Sequence, residues 1–121
     1  MVLMTLESAI SDLQETLSHA RSASNWRWLV RQRLSILRQA LSDERVEARE
    51  GWLTPRTGVM ERERRQLLGR ISAVGAGLLD RLEADGVATE VRRLINDVEH
   101  YRQRLHDLVY DSVAMEIGGS E

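Results

Sequence analysis

The chain of 121 residues has no cysteine, no lysine and no phenylalanine, a single proline, and only 4% aromatic residues. Without cysteine there is no disulfide framework, no thiolate metal site and no cysteine nucleophile. With Pro55 as the sole proline, little in the sequence interrupts helices. No apolar run approaches the ~18 residues of a membrane span, and Met1 to Asp12 lacks both a basic leader and a continuous apolar core. The expectation is a soluble cytoplasmic protein. All seventeen basic side chains are arginine. A GC-rich genome accounts for that more simply than selection for bidentate guanidinium contacts.

What is present points to helix. Hydrophobic residues make up 42% and charged residues 30%, the balance of a globular chain rather than a disordered one. Leu, Ala, Arg and Glu, all good helix formers, dominate. The length suits one domain, expected over residues 1–117 with a short tail at 118–121. The clearest pattern lies between Val87 and Met115, where Val87, Val91, Leu94, Val98, Tyr101, Leu105 and Leu108 recur at steps of four and three. Ser112 and Met115 continue the beat. This is the seam of a long amphipathic helix packed on other helices.

Three further segments share that rhythm. Leu3, Leu6, Ile10, Leu13, Leu17 and Ala20 predict a first helix over Leu3 to Arg21, with Thr5 and Glu7 at its start. Trp26, Val30, Leu34, Leu37 and Leu41 predict a second from Ser24 to Glu50, capped by Ser24 or Asn25 and stopped by Gly51. Thr54-Pro55 opens a third, running to Ala84 with Met60, Arg64, Leu67, Ile71, Val74, Leu78 and Leu82 on its seam. Gly69 and Gly75-Ala76-Gly77 weaken this helix, and the expected reason is close approach of a neighbour, with a kink or a ligand-facing bend as the alternative. Asp85-Gly86 predicts the last turn, Thr89 a cap, and Val87 to Glu116 the fourth helix.

Short connections between long helices imply an all-α, up-down-up-down antiparallel four-helix bundle with a shorter first helix. The alternative is a three-helix coiled-coil bundle in which the first two segments form one continuous helix. At 1.5 Å per residue the second to fourth helices come to about 40 Å each and the first to about 27 Å, so one stretch of apolar seam is expected to lack a neighbour.

Motifs for chemistry are scarce. Asp97, Glu99, His100 and His106 suggest a metal site, and Asp97-x-x-His100 has the spacing of a carboxylate-x-x-His ligand pair. At about 100° per residue, however, His100 falls far from the seam and His106 on a flank, while the seams of the first and third helices are almost wholly aliphatic. No metal or cofactor is therefore expected. The chain resembles hemerythrin-like or ferritin-like proteins in architecture only, which implies a small-ligand or metal-binding bundle as the alternative function, opening near Trp26, Trp52 and the glycines. No serine sits in a glycine-flanked nucleophile turn and no histidine has an orienting carboxylate on the core side. The glycine run lacks the strand that precedes a phosphate loop. The expectation is a non-enzymatic protein.

The most distinctive stretch is Thr16 to Ser42, which holds Arg21, Arg27, Arg31, Arg33 and Arg38 and no Asp or Glu. Its counterpart is the C-terminal end, with Asp107, Asp111, Glu116 and Glu121. Arg27, Arg31 and Arg38 form a stripe beside the apolar arc of the second helix, and Trp28 lies outside that arc. One reading pairs these arginines with carboxylates of neighbouring helices. The other makes Arg27, Trp28, Arg31, Arg38 and Trp52 an interaction surface, since Arg and Trp are enriched at interface hot spots. A net charge of -2 disfavours nucleic acid. The sequence thus suggests an interaction module that self-associates as a dimer, docks on a protein partner, or does both, through the second helix and the uncovered seam.

Overall fold

The computed structural model describes residues 5–19, 25–44, 54–80 and 83–118, with side chains described for all of these except 54–57 and 109–118. Four helices follow one another, α1 (Leu6–Ser18), α2 (Trp26–Asp43), α3 (Thr54–Gly77) and α4 (Ala84–Gly118). Each packs on the next, and α1 also packs on α4, closing a bundle of four. No strand occurs among the described residues. The directions alternate. The start of α2 lies beside the end of α1, where the Trp26 indole Nε1 donates to the Thr16 carbonyl at 3.1 Å. Arg27 at the start of α2 reaches Leu78 just past the end of α3. Arg70 pairs with Asp97 at 2.7 Å and Arg104 pairs with Glu63, so α3 and α4 are antiparallel as well.

The core is the set of seams. On α4 every seam residue from Val87 to Leu108 is buried, and so are Ala88 and Ile95, which widen the stripe. Leu6, Ile10, Leu13 and Leu17 of α1 join Trp26, Val30, Leu34, Leu37 and Leu41 of α2 in the same core. On α3, Met60, Arg64, Leu67, Ile71 and Leu78 are buried, and Val74 packs partly buried against them. Among the described residues Arg64 is the one charged member. Leu3, Ala20 and Leu82 lie outside the described residues.

Helix boundaries reveal local chemistry that the periodicity did not. Thr5 caps α1 as expected, its Oγ1 accepting from the Ser8 amide at 3.1 Å. The helix stops at Ser18 because His19 adopts extended backbone (ψ 163°), which separates α1 from α2 and excludes the continuous first helix. Side-chain competition assists. Thr16 and Ser18 donate their hydroxyls to the Asp12 and Glu15 carbonyls, a pattern that disfavours helix propagation. Asn25 stands at the N-cap of α2 without a side-chain cap hydrogen bond, while Ser24 lies outside the described residues.

Two boundaries differ from expectation. Instead of running to Glu50, α2 ends at Asp43, because Glu44 turns extended and Arg64 takes the freed carbonyls of Ser42 and Glu44. Instead of reaching Ala84, α3 ends at Gly77, and Leu78 to Asp80 form a turn held by amide bonds back to Gly75 and Gly77. Asp85 and Gly86 then lie inside α4, and no described residue has positive φ, so Gly86 makes no left-handed turn. Thr89 is likewise interior, donating to the Asp85 carbonyl one turn back. Acidic Asp85 in the first turn of α4 suits the positive end of the helix dipole.

These shifts change the relative lengths. At 1.5 Å per residue, the 13, 18, 24 and 35 residues of α1 to α4 give about 20, 27, 36 and 52 Å. The first helix is the shortest, as expected, but α2 is short too and α4 is much the longest. The shortness of α1 leaves none of the described α4 seam bare, since Val87, Val91 and Leu94 are fully buried. Trp26, the largest fully buried side chain among the described residues, belongs to that core and supplies volume near the end of α1. Exposed apolar surface is found elsewhere.

Candidate interaction surface

The basic stripe of α2 divides into residues that brace the bundle and residues that face outward. Arg27 is half-buried and its Nη1 donates to the Leu78 carbonyl at 2.8 Å, occupying an acceptor left over where α3 ends. Arg38 Nε donates to the Ser72 hydroxyl at 2.8 Å. Both arginines are thus engaged within the chain, by the neutral oxygens of Leu78 and Ser72 rather than by the carboxylates that charge pairing would use. Arg31, between them, is exposed and pairs with no carboxylate among the described residues. Trp28 is 56% exposed, as its position outside the apolar arc implies. Trp52 lies outside the described residues.

A shallow groove separates α2 from α3 at this level. Arg31, Leu34, Ser35 and Arg38 line one wall and Ile71, Ser72, Gly75 and Ala76 the other. Gly69 and Gly75 do not serve close helix packing here. A Cβ at Gly69 or Gly75 would meet nothing within 4 Å, which overturns the expected narrow waist at these two positions. Instead Gly75 keeps the floor of the groove low, and Gly69 lies exposed on the outer face of α3.

Three large hydrophobic side chains are exposed among the described residues: Trp28 at 56%, Val59 at 53% and Leu79 at 49%. Trp28 and Leu79 each adjoin a partner in the Arg27–Leu78 hydrogen bond, so they share one end of the bundle. Val59 belongs to the opposite end, where it lines an apolar groove with Met60, Arg104, Asp107 and Leu108 between α3 and α4. Sequence reasoning found Trp28 but missed Leu79 and Val59. Leu79 sits beside a seam leucine and Val59 beside a seam methionine, and nothing in the spacing marks either as exposed.

The groups considered for metal binding are dispersed. Asp97 is held by Arg70, and Glu99 accepts from Gln14 Nε2 at 3.4 Å. His100 and His106 are both exposed. Among the described residues no group of three or more histidine, aspartate or glutamate side chains is close enough to hold a metal ion. Nor is any described helix long and apolar enough to cross a membrane.

A partly buried polar cluster surrounds Arg64. Arg64 Nη1 donates to the carbonyls of Ser42 at 3.1 Å and Glu44 at 2.8 Å, and its Nη2 pairs with Glu61. Tyr101 lies close enough to feel these charges. Burial pushes its hydroxyl up from 10.0 to about 12, opposed by the Arg64 guanidinium and aided by Glu61 and Glu44. This arrangement ties the end of α2 to α3 and α4.

No family model, no curated protein and no solved structure matches the chain.

Proposed function

We propose that the chain is a non-enzymatic interaction module whose docking surface is the outer face of α2 together with the groove between α2 and α3. The observation that carries this reading is Trp28, a large aromatic left 56% exposed beside Arg31, which is exposed and pairs with no carboxylate among the described residues. An indole in water forgoes much of the free energy that its burial would yield, and an interface recovers it. Arg27 and Arg38 on either side are already held by α3, which gives the surface a preorganised frame. The partner it suits is a protein segment that offers carboxylates and apolar side chains, since Thr16 to Ser42 contributes no negative charge.

The test is a photo-crosslinking side chain at position 28 of the intact protein in its native host, with the same group at exposed Glu15 of α1 as the control. A discrete protein adduct from position 28 and none from position 15 supports the reading. Failure to form any protein adduct at position 28, or adducts with nucleic acid alone, would sink it.

A further inference from the structure

The cleft of about 260 Å³ between α2 and α3 is lined by two arginines, Arg31 and Arg38, and by no carboxylate. Seven residues separate them, within about 20° of two full turns, so both rise from one side of α2 with Ser35 between them. Arg38 spends its Nε on the Ser72 hydroxyl oxygen at 2.8 Å, which leaves its Nη groups outside that bond and the Ser72 proton to be donated elsewhere. Beneath them the floor is apolar, for Leu34 and Ile71 are both buried, and an apolar floor strengthens a charge interaction above it. Local charge is uncompensated. Arg27 stands in the first turn of α2, at the positive end of the helix dipole, and Arg31 follows it by four residues, two placements that weaken a helix on their own. Nearby carboxylates do not answer them: Asp43 accepts from Gln39, while Glu61 and Glu44 belong to the Arg64 and Tyr101 cluster. Asp80, Glu83 and Asp85, exposed beyond the end of α3, form no part of the lining.

From this we infer that the cleft is a binding site for a phosphoryl dianion, the head of a phosphate monoester, held between the Arg31 and Arg38 guanidinium groups with the Ser35 and Ser72 hydroxyls as further donors. The inference goes beyond the docking reading, since it needs only the cleft and a small anion. Two guanidinium charges match a monoester, which carries about -1.5 to -2 at pH 7, better than the single charge of a carboxylate. Donors approaching from both walls match oxygens arranged about a tetrahedral centre, whereas a carboxylate offers its oxygens in one plane. A nucleic-acid phosphodiester carries one charge per phosphate, and the net charge of -2 on the chain disfavours a polyanion. Gly75 and Ala76 keep the α3 wall low enough for the group to enter, and a Cβ at Gly75 would meet nothing within 4 Å.

The test is NMR of backbone amides and arginine Nε groups in the whole chain, titrated with inorganic phosphate near neutral pH at a constant ionic strength of about 0.15 M, with acetate as the planar control. Phosphate is expected to move the Arg31 and Arg38 Nε signals and the Ser35, Ser72 and Gly75 amides along one saturable curve, and acetate to bind at least about tenfold more weakly. Arg31→Gln and Arg38→Gln should each weaken phosphate by at least about tenfold, while Arg92→Gln, at an exposed arginine of α4, leaves it unchanged. Gly75→Glu is the decisive variant. Its Cβ meets open space and glutamate favours helix, so the fold is kept, while its carboxylate takes the place of the anion and binding is lost. No saturable response to phosphate, an equal response to acetate, or binding that survives Gly75→Glu or Arg31→Gln would each overturn the inference. With phosphate bound, a position-28 adduct that carries a phosphorylated residue assigns the dianion to the docking protein, and the lack of one assigns it to a free ester. A protein adduct at position 28 without any phosphate response removes the site and leaves the docking face standing.

Discussion

Replacing Arg64 with Met tests whether a tertiary contact, and not local sequence, ends α2. The side chain is 9% exposed, and methionine keeps most of its aliphatic bulk, so the loss of packing is small. What goes is the guanidinium. Two carbonyls at the end of α2, those of Ser42 and Glu44, lose donors at 3.1 and 2.8 Å, and hydrogen bonds to a charged group contribute about 1.5 to 3 kcal/mol each. Partial access of water to a helix terminus returns part of this. The Glu61 pair adds little, since its carboxylate is 30% exposed and such pairs contribute at most about 1 kcal/mol. Removing the buried Nε, which has no hydrogen-bond partner, offsets about 1 kcal/mol. The net expectation is a destabilisation of about 2 to 3 kcal/mol, measured by urea unfolding. For a chain of this size it corresponds to a fall of about 3 to 5 °C in melting temperature per kcal/mol. Amide exchange across the last turn of α2 should accelerate at the same time, beyond what the global loss explains. A change within about 0.5 kcal/mol, with exchange in α2 untouched, would refute the claim that Arg64 holds this helix end.

Alkaline titration offers a second test. Tyr101 is raised to about 12 in the folded chain, so between about pH 10 and 12 the unfolded state has released a proton that the folded state retains, and stability falls as pH rises through that window, by up to about 1.4 kcal/mol per pH unit. Tyr101→Phe should flatten the decline, and an unchanged slope by denaturant titration would place its origin elsewhere. Leu105→Ala removes a buried seam residue of α4 and should destabilise by about 2 to 5 kcal/mol in the same assay; a value typical of a surface site would mean that this part of α4 is not in the core. Trp26→Phe loses the bond to the Thr16 carbonyl and some buried volume, for an expected cost of about 1 to 2 kcal/mol, whereas no loss would mean that packing alone secures the junction of α1 and α2.

The amino-acid sequence by itself determined the number of helices, their order and the faces they bury. Its apolar residues recur with the period of a helix, burial must follow that period, and the seam from Val87 to Leu108 is buried throughout. Thr5 was legible as a cap for the same reason, because its partner is only three residues away. Trp28 was legible as a surface residue from its angular position alone. Tertiary structure decided what depends on groups distant in sequence. Whether α2 ends at Asp43 or near Glu50 turns on Arg64, 20 residues or more further along, and whether Arg27 and Arg38 are free turns on the oxygens of Leu78, just past α3, and Ser72, within it. The open space around Gly69 and the exposure of Leu79 and Val59 depend on how neighbouring helices pass them. Periodicity fixes which side of a helix turns inward, but it carries no record of how far each neighbour extends, and that extent decides which apolar groups at the two ends of the bundle remain open to a partner.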